Sequence, residues 1–319
     1  MAKNTEGLEE LIIGYLEHLE VERNTSKLTI RNYHHYLSRF FAWYRNFVGS
    51  DDITKLNLKI VKRYRMYLSR YIARKGKNLS VVTQAYHVIA LRSFLKWLVK
   101  NDVEVLSPEK IDLPRGESKS LKFLNQGQMG RLVGAPVISD EAGLRDRAIL
   151  ELLYSTGLRV SELVKTDRDK IDFETREFGI IGKGGRARVV FLSDRAADWL
   201  GRYFKTREDS WKPAFVRYSK KRAPEASKGE QMRLTARSVQ RIVEKYRRKA
   251  KLPVAITPHG LRHTFATDLL SHGAGLREVQ EMLGHKNIAT TQIYTHVTNP
   301  QLKKVHEMYH SGNKSRRNG

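Results

Sequence analysis

Apolar residues recur at helical spacing from Leu8 through Leu11, Ile12, Tyr15, Leu16 and Leu19, predicting an amphipathic helix with Thr5 as its N-cap. The pattern returns over 29–47 with Ile30, Tyr33, Tyr36, Leu37, Phe40, Phe41 and Tyr44, and again over 60–72 and 81–99, with Gly49 and then residues 76–78 between. The first hundred residues therefore predict a small all-helical domain. Ser107, Pro108, Pro114, Gly116 and Ser118 break the periodicity within a stretch of mixed charge, as a linker does. Helical spacing resumes over 126–132, 146–154 and 161–165. The period then shortens: 178–181 and 188–192 are short runs of strand character joined by Gly182, Lys183, Gly184 and Gly185, a hairpin with Lys183 at its tip. A polar loop is expected over 220–229, followed by a helix over 238–250. That helix turns Val239, Ile242, Val243 and Tyr246 inward and Arg241, Lys245, Arg247, Arg248 and Lys249 outward. The expected fold is mainly α with a small antiparallel β-sheet in the second domain, divided as 1–106 (helical domain), 107–120 (linker), 121–311 (larger domain) and 312–319 (basic tail).

Charge narrows the partner. The chain of 319 residues carries 59 Lys and Arg against 34 Asp and Glu, a formal net charge of +25, which exceeds what solubility requires and points to a polyanion. The cations are spread along the chain among carboxylates, so basic surfaces on folded domains are expected, lining a long duplex. With no cysteine, disulfides, thiolate metal sites and a cysteine nucleophile are excluded. Residues 1–16 contain Glu6, Glu9 and Glu10 without a signal-like apolar core, and no apolar run approaches a membrane span. A soluble cytoplasmic protein with no membrane partner is expected.

The candidate chemistry lies in six residues: Arg159, Lys183, His259, Arg262, His285 and Tyr294. Two guanidiniums can hold nonbridging phosphate oxygens in bidentate geometry, imidazoles can hydrogen-bond the phosphoryl group, a lysine can protonate a leaving oxygen and a phenol can act as nucleophile. Together they supply a metal-free attack on a phosphodiester. Each has a blander reading alone. Arg159 follows a glycine turn at a helix start, where it could hold an anion or simply pair with Glu162. Lys183 could be a solvated turn lysine, and Tyr294 an ordinary core or surface aromatic. Thr257 and Pro258 signal a helix start that sets His259 and Arg262 one turn apart on one face, able to converge on one ligand. A metal site of His259, His263 and His285 is disfavoured, because no familiar ligand spacing is completed and Arg262 would stand beside the ion.

The order of these groups resembles the tyrosine recombinase, or phage integrase, family. The family's first arginine motif is similar to residues 156–163, its hairpin lysine to Lys183, its His-x-x-Arg box to the segment from His259 to Arg262, its Leu-Gly-His element to Leu283, Gly284 and His285, and its nucleophile to Tyr294. The resemblance extends over nearly the whole chain and is greatest to compact Xer-type members. It implies a two-domain DNA clamp, with a SAM-like core-binding domain and a catalytic domain. It also implies site-specific recombination of duplex DNA through a 3'-phosphotyrosyl intermediate, without cofactor, metal or ATP. Arg159 and Arg262 would stabilise phosphoryl charge, Lys183 would be the general acid, His259 a proton acceptor or phosphate donor and His285 a phosphate hydrogen-bonder, with Glu162 orienting its neighbours. The implied assembly is a homotetramer on two DNA sites, or a heterotetramer with a second recombinase, under an activating accessory protein. The stretch 302–309 is the candidate for docking on a neighbouring subunit, so deletion from Gln301 onward should spare single-site binding and weaken assembly.

Resolution of chromosome or plasmid dimers is the first expectation, and integration or excision of a mobile element the alternative. A type IB topoisomerase would share the chemistry without a defined site. A noncatalytic DNA-binding protein would never form a covalent adduct.

Overall fold

The computed structural model describes residues 7–73, 76–113, 122–182, 187–218, 228–284 and 300–312, with the side chains of 300–302 left aside. Two compact units, Met1–Lys119 and Ser120–Gly319, divide the chain.

The first unit contains α1 (Leu8–Val21), α2 (Lys27–Val48), α3 (Leu58–Arg70) and α4 (Val81–Lys100). Each start has a local cause. Ser26, Asn57 and Ser80 accept hydrogen bonds from the backbone amides of Thr29, Ile60 and Thr83, satisfying donors that the first helical turn leaves unpaired. At α1 the N-cap is Gly7, whose amide donates to the Glu10 carboxylate; the expected cap, Thr5, lies outside the described residues. The helices close over Tyr15, Phe40, Tyr44, Tyr64 and Phe94, all buried. Buried phenols find partners where they can: Tyr15 donates to Ser93 Oγ at 2.7 Å and Tyr44 to the Asp52 carbonyl at 2.7 Å. Pro108 and Ile111, at the start of the expected linker, are buried, Ile111 within this same core. The chain is thus tied to the first unit beyond residue 106.

The second unit is built round α6 (Glu141–Thr156), which is buried along nearly its whole length. Packed against it are α5 (Gln126–Gly134), α8 (Asp194–Lys205), α9 (Ala236–Lys249) and α10 (Pro258–Ser271), with α7 (Val160–Leu163) contacting α9. Among the described residues the sheet is one antiparallel pair, β1 (Glu177–Ile181) and β2 (Ala187–Phe191), in a register that sets Ile180 opposite Arg188. The fold is the expected one: mainly α with a small antiparallel sheet. Finally, α11 (Leu276–Leu283) and α12 (Pro300–Tyr309) pack with α10.

Buried charge on α6 is compensated. Glu151 accepts from Arg147 at 3.1 Å and from Arg195 at 2.9 Å, and Asp146 from Arg145 and the Tyr246 hydroxyl. In the single chain α12 is seated on its own unit. His306 Nε2 donates to the Ser155 carbonyl at 2.7 Å and His310 Nε2 to the Tyr154 carbonyl at 3.1 Å, both imidazoles being buried. Because a carbonyl only accepts, both rings carry their proton on Nε2. Among the described residues no helix is long and apolar enough to cross a membrane.

Candidate active site

The site begins where α6 stops. Gly157 is in the left-handed region (φ 60°), and a Cβ there would stand 2.5 Å from Phe265 Cδ1, so both conformation and space require glycine. The turn delivers Arg159 to the first position before α7, where the Arg159 amide donates to Glu162 Oε2 at 2.8 Å and its guanidinium to Glu162 Oε1 at 2.8 Å. The pairing that was the bland reading of Arg159 is present, and it serves a larger arrangement.

Glu162 also accepts a two-pronged bond from Arg188 on β2, at 3.0 Å to Oε1 and 2.8 Å to Oε2. One buried carboxylate thus takes four donors from two arginines. Burial alone would push its carboxyl up, but the hydrogen bonds and charges of Arg188 and Arg159 outweigh that and bring it down to about 2. Glu162 is therefore ionised at neutral pH.

Arg262 reaches the same place from α10. Thr257 caps that helix by accepting from the Gly260 amide at 3.2 Å, and Pro258 occupies its first turn, as the sequence predicts. The Arg262 side chain is only 3% exposed and donates to the Gly157 carbonyl at 2.7 Å and to the Leu283 carbonyl. Burial first, then the charges of Arg159 and Arg188, lower its guanidinium to about 9, with Glu162 opposing. A guanidinium so crowded by like charge stands in a positive field that an anion would relieve.

These arginines share a second anchor, the C-terminal end of α11. Its last carbonyls have no partner within the helix. Arg188 Nε donates to Met282 at 3.1 Å, Arg262 Nη2 to Leu283 and Arg159 Nη2 to Gly284 at 3.4 Å, so three consecutive carbonyls are each taken by a different arginine. The negative end of the α11 dipole adds to the fit. Arg188 was not among the sequence candidates. It stands at a half-buried strand position that pattern alone reads as solvent-facing.

Arg159 and Arg262 are therefore brought together at adjacent carbonyls, as expected. His259 is exposed, and its Nε2 lies 3.1 Å from Nε2 of His263, the two rings meeting edge-on. One of the two nitrogens must donate and the other accept, so at most one ring carries its proton there when both are neutral. Burial, then His259 and Arg262, lower the His263 pKa. Among the described residues no group of three or more His, Cys, Asp or Glu is placed to hold a metal ion. Lys183, His285 and Tyr294 lie outside the described residues.

A phage integrase family model matches residues 122–300, and a model of the phage integrase N-terminal SAM-like domain matches residues 12–102. The chain belongs to the phage integrase family. It is 35% identical over 302 residues to tyrosine recombinase XerC of Pelotomaculum thermopropionicum, covering 94% of this chain and 97% of that one. To tyrosine recombinase XerD of Oceanobacillus iheyensis it is 33% identical over 304 residues, covering 95% and 99%. The fold is similar to that of the Tn1549 transposon integrase in complex with transposon right end DNA, with a TM-score of 0.70 at 20% identity over 94% of this chain and 98% of that one. This tyrosine recombinase is thus a site-specific recombinase, similar to the Xer enzymes, with a SAM-like N-terminal domain ahead of its catalytic domain.

Proposed function

We propose that this enzyme cuts and rejoins duplex DNA at a defined site, with Tyr294 attacking the scissile phosphate to leave a 3'-phosphotyrosyl link and a free 5'-hydroxyl. That hydroxyl then attacks the phosphotyrosine of a partner strand, so the phosphodiester bond energy is conserved. The observation that carries this reading is the cluster of Arg159, Arg188 and Arg262 around the one carboxylate of Glu162. Three guanidiniums against one carboxylate leave a surplus of positive charge. A phosphodiester gains negative charge as a nucleophile adds, so fixed cations aimed at it favour the transition state over the ground state.

In this reading Arg159 and Arg262 bind the nonbridging oxygens, Lys183 protonates the departing 5'-oxygen, and His285 hydrogen-bonds the phosphoryl group. His259 accepts a proton or donates to the phosphate, and its contact with His263 supports either role, since each ring sets which nitrogen of the other bears hydrogen. The N-terminal unit and the catalytic unit together hold the duplex, with phosphate contacts dominating affinity. The exposed cations of α9, Arg241, Lys245 and Arg248, fit such contacts. Likeness to XerC and XerD over nearly the whole chain supports resolution of chromosome or plasmid dimers in the cytoplasm, by a homotetramer or by a heterotetramer with a second recombinase.

The test is to incubate wild type and Tyr294→Phe with a supercoiled plasmid library of host DNA, without added metal, and to sequence the DNA ends in trapped covalent adducts. Adducts at one recurrent site, absent from the variant, are expected. Scattered adducts would replace the recombinase with a topoisomerase, and tight binding without adducts would leave a DNA-binding protein only.

A further inference from the structure

We propose that Arg188 is a positioning residue of the strand-transfer centre, locking the β-hairpin, the Arg159 turn and the end of α11 into one register through Glu162. This inference rests on the recombinase reading above.

The geometry is specific. Arg188 uses its whole guanidinium edge: Nη1 and Nη2 close a fork on the two oxygens of Glu162 at 3.0 and 2.8 Å, while Nε donates to the Met282 carbonyl at 3.1 Å. A lysine has the charge but not the fork, and cannot make the three bonds in these directions. The fork leaves Glu162 one lone-pair direction per oxygen, and Arg159 occupies both, by its amide at 2.8 Å and its guanidinium at 2.8 Å. The orientation of Arg159 is thereby set by how Arg188 holds the carboxylate. The other side of Arg188 lies along Gly284: a Cβ there would meet Arg188 Cδ at 3.2 Å and Nη1 at 3.3 Å, and the φ of 64° itself favours glycine. The α11 terminus thus closes directly onto this side chain, and His285 follows in sequence.

Arg188 also sits on β2, five residues after Lys183 in sequence. Among the described residues, it is the side chain of that strand that bonds both Glu162 and α11. Any displacement of the strand is therefore transmitted to the carboxylate that aims Arg159. The charge count agrees with a positioning role. Arg188 offsets Glu162, so Arg159 and Arg262 are left with their full charge for the phosphoryl oxygens.

The experiment uses the full chain and a nicked duplex carrying the site recovered by adduct sequencing, and compares wild type, Arg188→Lys and Arg188→Gln. It reads single-turnover formation of the covalent adduct, DNA affinity and thermal unfolding. Misplacement by about 1 Å costs on the order of 10²-fold in such a step, so Arg188→Lys is expected to cleave about 10²-fold more slowly. Its DNA affinity should stay within about threefold and its unfolding temperature close to wild type, because charge is kept. Arg188→Gln is expected to be slower still. The inference is overturned if Arg188→Lys cleaves at the wild-type rate, or if both variants lose adduct only in proportion to the fraction that no longer folds. If wild type itself formed no adduct, the recombinase reading would fail instead, and the two failures are told apart by that one control.

Discussion

The ends of two helices in the catalytic unit, α6 and α11, solve the same problem with opposite chemistry. Each helix leaves terminal carbonyls without intrahelical partners, inside a packed region where unpaired polar groups are costly. At α6 the carbonyls of Tyr154 and Ser155 are met by His310, just after α12, and by His306 on α12, both neutral buried imidazoles. At α11 the carbonyls of Met282, Leu283 and Gly284 are met by Arg188, Arg262 and Arg159, three cations. Neutral donors would have sufficed for a cap. The cations at α11 do more than cap, and what they add is a fixed positive field at the C-terminal end of that helix. The Gly157 carbonyl, bonded by Arg262 at 2.7 Å, joins the two ends, so the structural cap and the charged one share a wall.

The strongest way to break the comparison is to give the α11 end a neutral donor of the α6 kind. Arg262→Gln keeps a donor for one carbonyl but removes the charge. If the field matters, adduct formation should fall by about 10²–10³-fold, the range for losing one preorganised donor at developing negative charge. DNA affinity should change only a few-fold, because most phosphate contacts lie elsewhere. Single-turnover cleavage set against equilibrium binding decides it: equal losses in both would mean that Arg262 serves ground-state binding alone.

How much of this was legible in the sequence follows from what each feature needs. The helices of the first unit could be read because one face of each is apolar; the Ser26 and Asn57 caps set two of their starts two residues earlier than the apolar pattern does. The mixed fold was legible because the period changes at the hairpin. The start of α6 was harder. The pattern suggests 146–154, but the helix begins at Glu141 under an Asp140 cap, since a helix buried all round shows no stripe and its charges at Arg145, Asp146 and Glu151 look like a surface. The structure adds α8, whose Ala196, Leu200 and Tyr203 carry helical spacing behind a Ser193 cap. Arg159 and Arg262 were found through their joint order with four other groups. Arg188 has no such signal, because its partners stand 26 and 94 residues away and only the fold brings them together. Likewise His306 and His310 look like polar points on a surface helix until their carbonyl partners, 151 and 156 residues distant, are seen.

The opposite substitution sharpens the comparison at α6. His306→Leu leaves the Ser155 carbonyl without its donor in a buried site, at a cost of about 1–3 kcal/mol. Chemical denaturation should show that loss, while cleavage per folded molecule stays near wild type. Deletion from Gln301 onward removes both histidines and should abolish the cooperative unfolding of the catalytic unit. A truncated chain that melts like wild type would show that the α6 end is capped by something other than α12.

The last expected effect is one of pH, and it distinguishes the two ends by the window in which each titrates. Burial first, then the neighbouring His310, lowers His306 from an ordinary value of 6.5 to about 3, and burial likewise lowers His310 to about 4. Both fold neutral and gain a proton on unfolding, so their contribution is complete above pH 6.5 and is lost as pH falls below it, by up to about 1.4 kcal/mol per pH unit for each ring. Glu162 behaves in the same sense over a lower window. Its folded value of about 2 lies below the ordinary 4.5, so its contribution is complete above pH 4.5 and is lost only as pH falls from there toward 2. Between pH 7 and 5 the α6 end should therefore weaken while the charged end holds. Denaturation across that range should show stability falling in the wild type and falling less in a His306→Gln, His310→Gln double variant, in which glutamine amides can still donate to the two carbonyls. His87, buried in the first unit and lowered to about 4 chiefly by burial, leaves a residual slope that both proteins share. Equal slopes in the two proteins would place the acid sensitivity outside the α6 cap.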